Sequence, residues 1–148
     1  MAKLKLYYDL MSQPSRAVYI FLKVNDIPFE AIQIAIRNET KQPVNKAEAE
    51  DCRERNKAVV RHLDQYFLKD KNFLCGREIS IADLLAVCEL MQLHVVDEVN
   101  IVHQNDRVRE WFSRVKDRLG SAFDEGHKIV YKVHDLYKST LKSEIARL

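Results

Sequence analysis

Leu4, Leu6 and Tyr8 are spaced by two with Lys5 and Tyr7 between them, the period of a half-buried strand. The period then changes. Behind Ser12-Gln13-Pro14-Ser15, the apolar residues Ala17, Ile20, Phe21 and Val24 recur at helical spacing. Ser12 is a good N-cap, and Pro14 suits a first turn whose N–H groups lack helical partners. Asn25-Asp26-Ile27-Pro28 stops this helix, and Ile32, Ile34 and Ile36 alternate within a second strand from Phe29 to Ile36. Strand, helix, strand with short connections predicts a βαβ unit with parallel strands.

From Arg37 to Pro43 the chain is polar and ends in proline, the composition of a linker. Asn45, with Glu48 three residues on, opens a long helix carrying Cys52, Val59, Val60, Leu63 and Phe67 and ending near Lys69 to Asn72. The most apolar helix starts in Phe73-Leu74-Cys75-Gly76-Arg77-Glu78-Ile79-Ser80-Ile81-Ala82-Asp83-Leu84. Ser80 and Asp83 form a capping box, and Ile79 can pack on Leu84 as a hydrophobic staple. Leu84, Leu85, Val87, Cys88, Leu90, Met91 and Leu93 are apolar on more than one face, which predicts a helix buried among others. Another helix begins at Asn105-Asp106, carries Val108, Trp111, Phe112, Val115 and Leu119, and stops at Gly120. The last runs through Phe123, Ile129, Val130, Val133, Leu136 and Tyr137, with the tail from Ser139 continuing it. The expected class is α+β, mostly helical: a βαβ module over 1–37, a linker over 38–45 and a helical domain over 46–148.

Composition narrows the function. With 148 residues and 47% apolar content the chain can bury a core. Its 24 basic and 22 acidic residues are mixed along the sequence for a net charge of +2, so no basic stripe marks it for nucleic acid. No apolar run approaches the roughly 20 residues that span a bilayer. Cys52, Cys75 and Cys88 fit no zinc or redox spacing, and the N-terminus carries no apolar signal region, which points to a reducing, cytoplasmic setting. Cys75 and Cys88 are expected to be buried small hydrophobes. His62, His94, His103, His127 and His134 are scattered, and no metal site is expected. His127, Tyr131 and His134 share one face near the tail and could border a ligand.

Leu6-Tyr7-Tyr8-Asp9-Leu10-Met11-Ser12-Gln13-Pro14-Ser15-Arg16-Ala17-Val18-Tyr19-Ile20-Phe21, followed by Asn25-Asp26-Ile27-Pro28-Phe29-Glu30, resembles the opening of theta-class glutathione S-transferases. Phe73-Leu74-Cys75-Gly76 with Ile79-Ser80-Ile81-Ala82-Asp83 resembles the buried capping motif of that family's helical domain. The resemblance implies a truncated thioredoxin-like module followed by an all-α domain of the transferase C-terminal type. It also implies conjugation of the glutathione thiol to small electrophiles, with glutathione as co-substrate and no metal or organic cofactor. By motif position Ser12 would donate to the glutathione sulfur. A helix N-terminus favours an anion there, although serine at this position can equally be only a cap. Tyr7 and Arg16 would border the substrate, with a packed strand tyrosine and a solvated helix-face arginine as the alternatives.

The chain also departs from the family. The family's Val-Pro segment with a cis proline, whose backbone pairs with glutathione, and its Glu-Ser pair for the γ-glutamyl end have no counterpart. The only prolines are Pro14, Pro28 and Pro43. The second half of the glutathione module is expected to be missing near Lys41 to Pro43. Three consequences follow: weak or absent activity, an exposed first strand open to pairing with another chain, and doubt over the family homodimer. Two functions stand open, a theta-like transferase and a non-catalytic interaction or ligand-binding module.

Overall fold

The structure is a computed structural model that describes residues 4–34 and 45–145, with side chains as far as residue 140. The N-terminal unit is βαβ, as its periodicity predicts. Strand β1 (Lys5–Tyr8) pairs in parallel with β2 (Glu30–Gln33), Leu6 opposite Ala31 and Tyr8 opposite Gln33. Helix α1 (Gln13–Val24) joins them. Leu6 and Tyr8 turn to the half-buried face of β1, while Lys5 and Tyr7 stay exposed. Strand β2 is shorter than expected: Ile34 already lies outside it, and Ile36 and most of the expected linker fall outside the described residues.

Helix α2 (Lys46–His62) opens where Asn45 predicts, the Asn45 side chain accepting from the Ala47 and Glu48 N–H groups at 3.1 and 3.4 Å. It runs on through a wider π-helical turn, Leu63–Phe67, closed by the Leu68 N–H donating to the Leu63 carbonyl at 2.9 Å. The apolar helix is α3 (Ile81–Leu90), shorter than the apolar run suggests because the chain bends at Met91 into α4 (Gln92–Val95). A short α5 (Asn100–His103) follows. Helix α6 (Asp106–Leu119) runs from an Asn105 cap to Gly120, whose φ of 54° favours glycine at that stop. Helix α7 (Ser121–Ile145) completes the order.

Asp83 organises the helical part. Its carboxylate is fully buried and accepts from the Leu74 N–H at 2.8 Å, the Trp111 indole N–H at 2.8 Å, the Ser80 N–H at 2.9 Å and the Ser80 hydroxyl at 2.6 Å. The capping box expected of Ser80 and Asp83 is formed. Its acid also ties α3 to the turn before it and to α6. A buried carboxylate is tolerated when every lone pair is met in this way.

One core runs through the molecule. Ile20 of α1 belongs to the same cluster as Val87 of α3, Trp111 of α6 and Val130 of α7. Alpha-helix α1 packs against both α3 and α7. The βαβ unit therefore finds its hydrophobic floor on the helical part rather than within itself. Cys88 is buried as expected, and burial raises its thiol to about 11. Cys75 is a correction: it is exposed, because the bridge between Phe73 and Gly76 turns Phe73 and Leu74 inward and leaves Cys75 at the tip. No helix among the described residues is long and apolar enough to cross a membrane.

Candidate functional site

The turn between β1 and α1 holds Ser12, the residue that the family resemblance singles out. Asp9 is buried, its carboxylate accepting from the Met11 N–H and its carbonyl from the Ser12 N–H, both at 2.9 Å. Leu10 plugs into the interior with 1% of its surface exposed. Ser12 follows with the extended backbone of an N-cap, φ −79° and ψ 122°. Its hydroxyl forms no cap hydrogen bond, unlike those of most capping serines. The half-buried hydroxyl thus stands at the N-terminus of α1, where free N–H groups and the macrodipole make the local potential positive.

Arg16 is where sequence and structure part. The solvated helix-face alternative is wrong, since its side chain is completely buried. One guanidinium nitrogen donates to the Leu10 and Met11 carbonyls at 2.9 and 3.2 Å, and the other donates to the Cys88 carbonyl at 2.7 Å and to Gln92 Oε1 at 3.0 Å. Arg16 therefore clamps the Ser12 turn to the α3–α4 bend. Burial pulls its pKa below the usual value, yet an arginine stays charged at neutral pH.

Tyr7 is 58% exposed on the outer face of β1, whereas Tyr8 turns inward with its ring 5.2 Å from that of Tyr19. The Tyr19 hydroxyl donates to Glu125, which locks α1 to α7 and, together with burial, raises the Tyr19 pKa. Ser12 and Arg16 thus share one turn, and Tyr7 stands apart on the open strand face. The His127 face also needs correction: His127 is fully buried, with Nδ1 against the Phe123 carbonyl at 2.7 Å, and His134 stacks on His94 at a ring distance of 4.1 Å. Packing between helices consumes this face. Sequence reasoning missed Asp9, Gln92 and the Cys88 carbonyl. Gln92 and a backbone carbonyl carry no signal in composition or period, but an Asp three residues before a helix-opening serine does, since its short carboxylate suits the N–H groups of such a turn. Among the described residues no group of three or more His, Cys, Asp or Glu could hold a metal.

The family model for the glutathione S-transferase C-terminal domain matches residues 17–118. The chain belongs to the glutathione S-transferase family. Glutathione S-transferase theta-1 of Gallus gallus is 32% identical over 106 residues, which take in 71% of this chain and 40% of that protein. Glutathione S-transferase T1 of Arabidopsis thaliana is 24% identical over 225 residues, covering 91% of this chain and 92% of the plant protein. Those 225 positions exceed the about 135 residues that 91% of this chain supplies, so about 90 positions of the plant protein meet a gap here. Human glutathione transferase theta-2, solved with glutathione, superposes with a TM-score of 0.81 at 21% identity over 92% of this chain and 90% of that one. A human T1-1 mutant solved in apo form gives the same TM-score over 97% and 98%. These likenesses bear out the expected class, a shortened thioredoxin-like module joined to the family's helical domain.

Proposed function

We propose that this chain is a theta-type glutathione transferase of the cytoplasm, with the division into 1–37, 38–45 and 46–148 read from its sequence, in which the Ser12 hydroxyl donates to the sulfur of bound glutathione. The observation that carries this reading is a serine hydroxyl at a helix N-terminus that does no capping, on a turn held from behind by Arg16. Lowering a thiol from about 8.5 by about 2 pH units requires about 2.7 kcal/mol, within reach of a hydrogen bond to a charged acceptor plus the helix dipole. The thiolate then attacks the electrophilic carbon of a small acceptor, forming a C–S bond while the leaving group departs with its bonding electron pair, which detoxifies the acceptor, and a metal has no part in that step. Turnover is weak, because the family's cis-proline and Glu-Ser contacts to glutathione have no counterpart in this sequence.

A thermal melt with and without glutathione tests binding. Ligand at about 100 times its Kd adds about 2.7 kcal/mol, which in a chain of this size raises Tm by roughly 5 to 11 °C. Ser12→Ala should keep the fold and lower conjugation about 10- to 100-fold, the worth of one hydrogen bond to a charged group. The gap of about 90 positions against the plant relative favours a second reading, a non-catalytic module of the family as a shortened isoform. A Tm unmoved by glutathione, with conjugation absent from wild type and variant alike, would decide for that module.

A further inference from the structure

Helix α4 is a single turn with a separate partner at each end. At its start, Gln92 Oε1 accepts from the Arg16 guanidinium at 3.0 Å. The other acceptors of that guanidinium are the Leu10, Met11 and Cys88 carbonyls, so Gln92 is the side chain of the clamp and the rest is backbone. Two residues on, the His94 ring stacks on His134 of α7 with 4.1 Å between centroids, and stands edge-on to Tyr131 at 5.5 Å. His134 is buried, and its Nε2 lies 3.9 Å from Asp97 Oδ1. Asp97, at φ 61° in the turn that closes α4, also holds the Lys138 ammonium at 3.3 Å. Leu93 and Val95 of the same short helix pack on the shared core. One turn of helix has little stability of its own, so these contacts decide where α4 sits.

We propose that α4 positions the Ser12 turn: Gln92 sets the Arg16 clamp, the stack of His94 on His134 sets Gln92, and acid loosens the turn through that stack. This role presupposes the Ser12 chemistry proposed for the chain. Gln92 and His94 act through Arg16 and are positioning residues in that chemistry. Arg16 holds the carbonyls of Leu10 and Met11, the two residues ahead of Ser12. A displaced guanidinium therefore frees the backbone that fixes the φ and ψ of Ser12.

The acid response follows from the groups around His94. Helix α7 brings His134 and Lys138, which oppose a proton on the ring, and Asp135, which favours one together with Asp97. It also brings the Tyr131 phenol, kept neutral first by burial. Helix α3, also packed on α4, brings the exposed Glu89 and the Cys88 thiol, which burial keeps protonated. Burial is the largest influence on His94 and holds it below its ordinary 6.5. With α4 lifted from α7 the ring stands in water and takes its proton near 6.5. Between the two values the lifted state binds more protons, so the seam is intact above pH 6.5 and weakens as the pH falls below it.

Nitrogen-15 NMR of the whole ligand-free chain, from about pH 8 to about pH 5, reads the coupling without any substrate. The Met11 and Ser12 amide signals and the Arg16 Nε–H signal should shift with the His94 ring signals, along one curve centred below about 6.5. They should stand still in His94→Phe, which keeps a ring on His134 without a titrating proton. In Gln92→Ala the His94 ring should still titrate while the turn no longer follows it. His127, whose proton Arg16 opposes, titrates near about 4 and stays outside this window. Conjugation gives a second readout: as the pH drops below about 6.5 the wild-type rate should fall more steeply than that of His94→Phe, because two ionisations act instead of one. Turn signals that move alike in wild type and His94→Phe overturn the proposal, and so do turn signals that stay fixed while His94 titrates. Absence of conjugation from wild type at neutral pH counts against the Ser12 chemistry instead, and the titration, which uses no glutathione, still decides whether α4 holds the turn.

Discussion

His127 shows what burial does to a single side chain. A carbonyl can only accept, so the contact with the Phe123 oxygen assigns the proton to Nδ1 and leaves Nε2 as an acceptor without a protein partner among the described residues. The imidazole is held neutral, its pKa pulled from 6.5 down to about 4, first by burial. Unfolded, the same ring takes up its proton near pH 6.5. Between these values the unfolded chain binds more protons than the folded one. Stability from this residue is therefore complete above pH 6.5 and is lost as the pH falls toward 4, with about 2 kcal/mol gone by pH 4.5. Unfolding free energies from urea titrations at pH 7 and pH 4.5 should differ less in His127→Met than in wild type, by about that amount. An equal decline in both proteins would assign the acid sensitivity elsewhere. Arg16 is the cationic counterpart, kept charged inside the protein because four acceptors surround its guanidinium.

Among the elements, α1 and α7 approach closely at Gly126. A Cβ added at Gly126 would stand 2.6 Å from Ile20 Cγ1 and 2.7 Å from Cδ1, and Ile20 is fully buried. Gly126→Ala should therefore destabilise by about 1 to 3 kcal/mol, although alanine is the better helix former by about 1 kcal/mol. In an Ile20→Ala background the clash disappears and the same change should be neutral or stabilising. Denaturant midpoints of the four proteins measure the coupling, and additive effects would show that the helices do not touch there. Elements whose signals are local could be read in advance. Asn45 and Asn105 cap the helices they precede, Ser80 and Asp83 close their box, and Gly120 ends α6. The bend at Met91 and the wide turn after His62 could not, because neither carries a proline, glycine or change of period. The fate of Arg16 was equally hidden, since its partners Cys88 and Gln92 lie more than 70 positions along the chain. Cys75 misled for a related reason: residue type favours burial, but the turn geometry decides which of four neighbours faces out.

At the scale of the whole molecule, the division into a βαβ module and a helical domain is visible in the sequence, but the shared core is not. Periodicity says which face of α1 is apolar, not that α3 and α7 rather than a sheet of its own will cover it. The proposed Ser12 site spans this junction, with its hydroxyl on one part and the anchors of the Arg16 clamp on the other. The same arrangement sets the order of events during synthesis. The bond from Tyr19 to Glu125 joins positions 106 apart, so α1 can complete its packing only after the start of α7 has been made, although α3 is there to receive it earlier. At about 5 to 20 residues per second, the first strand and helix wait on the order of 5 to 20 s for that partner. Throughout that interval the side of α1 that carries Tyr19 and Ile20 stands uncovered, a stretch for a chaperone to hold until α7 arrives.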